Sequence, residues 1–232
     1  MKLAIMQPYF LPYIGYFQLI KAVDKFIVFD DVNYIKKGWI NRNRILVNGN
    51  EFTFTVPLEK ASQNKQIREI NLLSDNIWKG RLLETFDQTY KKAPMYLSVF
   101  PILEEIVEVR DRNLSAFVSN SILQICKYLE ISLQLELSSL KYETALLKGQ
   151  DKILRICEIE KADIYINPEG GINLYQKQVF EKQNIKLQFL RSRPVIYNRF
   201  NEKSLPFLSI IDVMMFNDKN MILDFLKEFE LV

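Results

Sequence analysis

The chain has no histidine. That gap removes Ser–His and Cys–His nucleophile pairs, in which an imidazole takes the proton. It also removes every metal site built on an imidazole ligand. Cysteine is scarce: 2 residues cannot form a four-thiolate zinc site. Proton transfer must fall to Asp, Glu, Lys, Tyr or water. With 7 glycines and 8 prolines in 232 residues, there is little material for linkers or disorder. No stretch approaches the roughly 18 apolar residues that cross a bilayer. The opening MKLAIMQPYF does not read as a secretory signal, so a cytoplasmic protein is expected. Cys126 and Cys157 sit in the apolar helical contexts ILQICKYL and ILRICEIE. Two buried free thiols are expected there, not a disulfide.

A hydrophobic content of 48% against 25% charged is enough for a full core, and the length suits one domain over residues 1–232. The net charge of +3, with both signs mixed along the chain, does not call for nucleic acid. KLAIM (Lys2–Met6) and KFIVF (Lys25–Phe29) read as buried strands, and GYFQLIKAV (Gly15–Val23) between them has helical spacing. Strand, helix and strand in so few residues make the unit of a parallel sheet. RILVNGNEFTFTVPL then carries Asn48-Gly49 between alternating runs, a hairpin signal. Helices are expected over Ser74–Tyr90, Met95–Val109, Ser115–Leu129, Asp151–Ile159, Leu174–Lys182 and Met221–Phe229. Strands are expected at ISLQLEL, ADIYIN and IKLQFL. The pattern predicts a three-layer, Rossmann-like α/β sandwich with a mainly parallel sheet, a β-hairpin, and a helical insertion at about 74–129 serving as a subdomain or lid.

In an open parallel sheet, ligands bind beyond the carboxyl ends of the strands. Three polar clusters fall at such ends. After Met6 come Gln7, Pro8, Tyr9, Pro12 and Tyr13, then Gly15 and Tyr16 at the start of a helix. Unpaired N–H groups of that helix would suit a phosphate or carboxylate, and the other reading is an aromatic plug over the sheet edge. After KFIVF come Asp30 and Asp31. A carboxylate pair there can hold Mg²⁺, bind an ammonium or hydroxyls, or act as general base; otherwise one caps a turn and the other is solvated. KKGWINRNRI gathers Lys36, Lys37, Arg42 and Arg44 around Trp39, Asn41 and Asn43. Guanidinium forks match phosphate oxygens and an indole stacks on a base or sugar; the plainer reading is a basic turn. Downstream, Ser138 follows a strand, and INPEGGINLY places Asn167, Glu169, Gly170, Gly171 and Tyr175 between a strand and a helix. The glycine pair there fits a close backbone approach, an anion nest or a turn. Asp212 lies within the apolar run LSIIDVMMFN and needs either a buried partner or a helix-capping role. The opening loop, the acidic pair and the basic turn are expected to meet in one pocket.

Taken together, QPYFLPYIGYFQLI, DKFIVFDDVNY, KKGWINRNRI, TVPL, KKAP, SSL, DIYINPEGG and LSIIDVMMFN resemble the WbqC-like family from Met1 to about Asn217. The resemblance implies a role in bacterial surface-polysaccharide (O-antigen) biosynthesis, modifying a nucleotide-linked sugar. One version attaches an amino acid such as glycine to an amino sugar, with ATP and Mg²⁺ if the acyl group is activated as an adenylate. In that version Asp30 or Asp31 frees the attacking amine, while the basic cluster and the opening loop hold the diphosphate. Two other readings stay open: a glycosyltransferase with a nucleotide-sugar donor, and a non-catalytic binding subunit. A homodimer also stays open. Looser similarity links YFLPYIGYFQLI to the phosphate loop of the nucleotidyltransferase-like α/β fold, which reads F-x-P-x-H-x-G-H. Tyr13 and Tyr16 stand where that loop has histidines. Tyrosine can donate a hydrogen bond but brings no positive charge. The similarity therefore implies the fold and not adenylyl transfer.

Overall fold

The apolar runs at the start of the chain become strands β1 (Lys2–Met6) and β2 (Lys25–Val28), with helix α1 (Ile14–Lys21) crossing between them. The structure, a computed structural model, describes residues 1–132, 134–200 and 202–232. The remaining strands are β3 (Arg42–Val47), β4 (Asn50–Thr55), β5 (Leu58–Glu59), β6 (Asn71–Leu72), β7 (Gln134–Glu136), β8 (Ile164–Pro168), β9 (Lys186–Ser192), β10 (Asn198–Arg199), β11 (Glu202–Lys203) and β12 (Phe229–Leu231). The remaining helices are α2 (Ile77–Tyr90), α3 (Tyr96–Val107), α4 (Leu114–Tyr128), α5 (Gly149–Ile159), α6 (Lys177–Glu181), α7 (Ile210–Phe216) and α8 (Lys219–Phe225).

The central sheet has six strands in the order β12-β9-β8-β1-β2-β7. All neighbours are parallel except β12, which runs antiparallel to β9. Counted along the chain, β7, β2, β1, β8, β9 and β12 come third, second, first, fourth, fifth and sixth. That is the doubly wound order, and its direction reverses between β1 and β8.

Alternation along the strands divides the core between the two faces of the sheet. Leu3, Ile5, Ile27, Tyr165 and Leu187 pack with Ile153, Ile156 and Cys157 of α5 and Phe180 of α6. Ala4, Phe26, Val28 and Ile166 face the other way, toward Phe17 of α1, Phe86 of α2, Leu103 of α3, Phe117 of α4 and Met214 of α7. Phe17, Phe26 and Phe117 are wholly buried, each contributing about 1.5–3 kcal/mol of apolar burial. The β3–β4 hairpin turns at Asn48 (φ 51°) and Gly49 (φ 77°). Two successive positive φ angles make the type I′ turn that Asn-Gly favours.

Three expectations differ in detail. The helix expected over Met221–Phe229 is α8, which stops at Phe225, and Phe229–Leu231 is strand β12. The exposed edge of β9 explains this: Phe189 and Val232 exchange backbone hydrogen bonds at 2.9 Å in both directions. The helix expected from Leu174 starts at Lys177, after a 3₁₀ stretch over Glu169–Leu174. Of the strand expected at ISLQLEL, the paired part is Gln134–Glu136, and Leu133 lies outside the described residues.

Among the described residues no helix is long and apolar enough to cross a membrane. Cys126 and Cys157 are both free and buried, and they belong to the cores on opposite faces of the sheet. Burial pushes each thiol up to about 12. Since the thiolate is the reactive form, neither cysteine is expected to react with iodoacetamide at roughly pH 8 in the folded protein. Mass spectrometry should show two added carbamidomethyl groups once the chain is unfolded. Rapid labelling of the native protein would contradict the burial.

Candidate functional site

The reversal between β1 and β8 is where a doubly wound sheet opens a crevice at its carboxyl edge. A cavity of about 400 Å³ lies there. Gln7 and Tyr9 line it from the β1 end, Phe29 from the β2 end, Ile35 from the following segment, and Asn167, Gly170, Gly171 and Tyr175 from the β8 end. Its size falls in the range of small-molecule sites. A second cavity of about 210 Å³ adjoins it through Tyr9 and is lined by Pro12, Tyr13, Trp39, Asn43, Arg44 and Phe207. A larger cavity of about 550 Å³ lies elsewhere, between the β3–β4 turn and α2, among Asn48, Phe52, Thr85, Gln88, Arg199 and Phe200. The sheet edge is the candidate site, because there the strand ends bring polar groups to one crevice. The larger cavity is bounded by the hairpin, one flank of α2 and the Arg199–Phe200 segment, away from the carboxyl edge of the sheet.

The opening loop is rigid because its backbone is held from two sides. Leu11 adopts φ 45°, a conformation that bulky residues reach only under constraint. Asn43 Nδ2 donates to the Leu11 carbonyl at 2.9 Å and to the Phe10 carbonyl at 3.2 Å, and Ser209 Oγ donates to the Leu11 carbonyl at 2.6 Å. Ile210 N donates to the Pro12 carbonyl at 2.9 Å. Asn43, expected to bind ligand, is thus chiefly a brace for the loop. Asn41 is also internal: its Nδ2 donates to the Val56 carbonyl at 2.8 Å and its Oδ1 accepts from Tyr34 at 2.9 Å.

Tyr16 is buried at 3% exposure. Its hydroxyl donates to the Gln7 carbonyl at 3.0 Å, so it supports the loop from beneath and does not face a ligand. Tyr13 folds its ring back over Gly15. A Cβ at Gly15 would sit 2.3 Å from Tyr13 Cε2, so a larger residue there would push the Tyr13 ring aside. Tyr9 stands between the two cavities, tilted against Tyr16 at a ring-centroid distance of 5.7 Å. Burial, with Tyr13 beside it, raises its phenol above the ordinary value. At the β8 end, Asn167 Nδ2 donates to Tyr165 Oη at 3.0 Å and to Tyr175 Oη at 3.2 Å. A Cβ at Gly171 would come within 2.6 Å of Asn167 Oδ1, whereas one at Gly170 would meet nothing. Close approach therefore explains one glycine of the pair.

The basic turn divides. Lys36 and Lys37 are exposed. Arg42 lies over the Trp39 ring at 5.5 Å, and its Nε donates to the Gly38 carbonyl at 3.1 Å. Only Arg44 of the four cations lines either cavity, and its Nη1 is paired with Glu51 at 2.9 Å.

The acidic pair divides as well, since successive residues leave a strand toward opposite faces. Asp30 turns to α4. It accepts from Ser115 Oγ and Ser138 Oγ, each at 2.8 Å, and from Ser139 N at 3.1 Å. It also lines a third cavity, of about 300 Å³, together with Asn113, Ser115, Ser119, Asn120, Leu123, Leu137 and Ser138. Asp31 turns to α5, where Oδ2 pairs with Lys152 Nζ at 2.6 Å and Oδ1 accepts from Ser139 Oγ. Both partners of that ion pair are 4% exposed. The expected single pocket is thus replaced by two neighbouring cavities around Tyr9 and a separate one at Asp30. Phe29, not an aspartate, is the β2-end residue in the main crevice.

Lys152, Ser115 and Phe207 were not singled out from sequence, whereas Ser139 belongs to the SSL stretch that was. Lys152 alone carried a signal: it lies four residues before Ile156 on the buried stripe of α5. Asp212, by contrast, meets the need foreseen for a buried partner, pairing with Arg199 at 2.9 Å.

No solved structure matches the chain. It is 30% identical over 220 residues to "Uncharacterized protein Rv1507c" of Mycobacterium tuberculosis (strain ATCC 25618 / H37Rv), an alignment spanning 92% of each protein. The WbqC-like protein family matches residues 7–223, which include the opening loop, both aspartates, the basic turn and the Asn167–Tyr175 segment. The chain belongs to the WbqC-like protein family.

Proposed function

We propose that the protein is an enzyme of bacterial surface-polysaccharide (O-antigen) biosynthesis that modifies a nucleotide-linked sugar held along the carboxyl edge of its sheet. The observation that carries this reading is Tyr9, the shared wall of two cavities at the reversal of strand order. On one side Arg44, Trp39, Tyr13 and Phe207 offer a guanidinium with aromatic faces. That combination suits a phosphate joined to a stacking base. On the other side Gln7, Asn167 and Tyr175 offer amide and hydroxyl groups among apolar residues, which suits a sugar ring. Arg42, over the Trp39 ring, adds positive charge beside that cavity, and the exposed Lys36 and Lys37 belong to the same turn.

In the aminoacyl version, the amine of the sugar attacks an activated acyl carbon, the C–N bond forms, the activating group leaves with its electron pair, and a base takes the amine proton. Asp31 is committed to Lys152 and Asp30, the other carboxylate expected to act as base, lines a separate cavity, so the amine proton passes to water in the crevice. ATP with Mg²⁺ enters only if the acyl group is activated as an adenylate. The test is isothermal titration with uridine and guanosine diphosphate sugars. Binding should weaken at least tenfold in Tyr9→Ala, with circular dichroism unchanged. Incubation with an amino-sugar nucleotide, glycine and ATP should add a glycyl mass, and Tyr9→Ala should lower the yield of that product in line with its weaker binding. Equal binding by Tyr9→Ala and the parent would remove the site. A full panel of amino sugars without mass change would remove the aminoacyl step.

A further inference from the structure

Asn167 lines the β8 end of the main crevice, and its amide is held in one orientation. Nδ2 donates both hydrogens inside the protein, to Tyr165 Oη at 3.0 Å and to Tyr175 Oη at 3.2 Å. Tyr165 Oη passes its own hydrogen on to the Ile5 carbonyl at 3.5 Å, which leaves it to accept from the amide. We propose that Asn167 selects the ligand of the crevice: its Oδ1 accepts from an uncharged donor on the sugar ring, whether a hydroxyl, an amide N–H or an un-ionised amine. The inference rests on the nucleotide-sugar reading and adds to it the group that is read.

Two observations carry it. Asn167 is 6% exposed, and its Oδ1 accepts from no described residue. Yet that oxygen is not among the unpartnered side-chain atoms sealed from water, and the surface its residue offers is the crevice wall. The second observation is Gly171, which lines the same crevice. A Cβ there would stand 2.6 Å from Asn167 Oδ1 and 3.2 Å from its Cγ. Gly171 does not take a positive φ, so its conformation does not call for glycine. The missing side chain leaves room beside Oδ1, where a ligand atom can approach.

The chemistry of the atom selects the partner. A carbonyl oxygen only accepts, so the ligand must donate. None of the residues lining the crevice carries a charged side chain. An ammonium would lose its hydration there with no counter-charge, and a phosphate oxygen ionised at neutral pH brings no hydrogen. A neutral hydroxyl or N–H meets both conditions. The ligand is thereby divided between the two cavities, with the diphosphate toward Arg44 and the ring against Asn167.

The experiment is isothermal titration of the full chain with uridine diphosphate glucose and guanosine diphosphate mannose. Each is compared with analogues in which fluorine, which cannot donate, replaces one ring hydroxyl at a time. In the parent, one position should weaken binding about tenfold, the loss of a hydrogen bond to a buried acceptor. Asn167→Ala and Gly171→Ala should each weaken the hydroxyl sugar by a similar factor. The analogue fluorinated at the sensitive position should then bind either variant no worse than the hydroxyl sugar does, since both changes remove one contact. Gly171→Ala keeps Asn167 and its tyrosine partners, so it answers even if Asn167→Ala fails to fold; circular dichroism follows both. Binding with no fluorine-sensitive position, losses that add in a folded variant, or parent-like affinity in both variants overturns the inference and leaves the nucleotide-sugar reading standing. Tighter binding of a fluorinated analogue overturns it as well, because the amide would then present Nδ2. Absence of binding by both sugars overturns that reading and this inference together.

Discussion

Replacing Lys152 with methionine is expected to lower stability by about 3–5 kcal/mol, because it strands the Asp31 carboxylate in a dry place. The ammonium lies 2.6 Å from Asp31 Oδ2 and 3.0 Å from the Asp31 carbonyl, so one side chain neutralises the acid and satisfies its backbone. In a chain of this size a loss of that order moves the thermal midpoint by on the order of 10 °C. The two charges gain little over a hydrophobic pair of similar volume, since each lost its hydration on burial. The double variant Asp31→Leu/Lys152→Met should therefore recover most of the loss. Urea unfolding of the parent, both single variants and the double variant would measure the coupling. A Lys152→Met variant within about 1 kcal/mol of the parent would mean that the pair is not dry.

The same contact reaches the Asp30 cavity. Ser139 donates its Oγ to Asp31 and its backbone N–H to Asp30. Lys152 thereby fixes the loop after β7 and, through it, the carboxylate beside Ser119 and Asn120.

The β1–α1–β2 unit and the hairpin were legible because each is a local signal: an apolar run and an Asn-Gly turn. The identity of each polar partner was not. Asp30 and Asp31 are neighbours in sequence, and only the third dimension sends one to Ser115, 85 residues away, and the other to Lys152, 121 residues away. Tyr9, Tyr13 and Tyr16 looked equivalent in the opening loop. Helical geometry at Tyr16 turns its ring into the core, while Tyr9 and Tyr13 precede α1 and reach the surface. β12 was hidden because three residues are too few for a period, and its partner edge is formed by β9. Ser119 and Asn120 lie on α4 among apolar neighbours, and their lack of partners is visible only when the surroundings are known.

Asp212→Leu and Arg199→Leu should differ in the way their cost depends on pH, although they break the same ion pair. Both groups are buried, and Tyr90 and Tyr197 each donate to the carboxylate at 2.8 Å. Without Asp212, the Arg199 guanidinium is left in the core and keeps its proton at any accessible pH. The cost is about 3–5 kcal/mol and should be flat between roughly pH 7 and pH 5. Without Arg199, the stranded group is a carboxyl that can take up a proton and become neutral. Burial already raises Asp212 above its ordinary value of 3.8, opposed by the charge of Arg199 and by hydrogen bonds from Tyr197, Tyr90 and Arg199; removing Arg199 raises it further. The folded state then holds a proton that the unfolded chain has released. Stability from that proton is complete below the unfolded value and is lost as pH rises through the folded one. The Arg199→Leu deficit, measured against the parent at each pH, should therefore shrink as pH falls from roughly 7 to roughly 5. Parallel deficits for the two variants across that range would show that Asp212 holds its charge without Arg199, sustained by the two tyrosine hydroxyls.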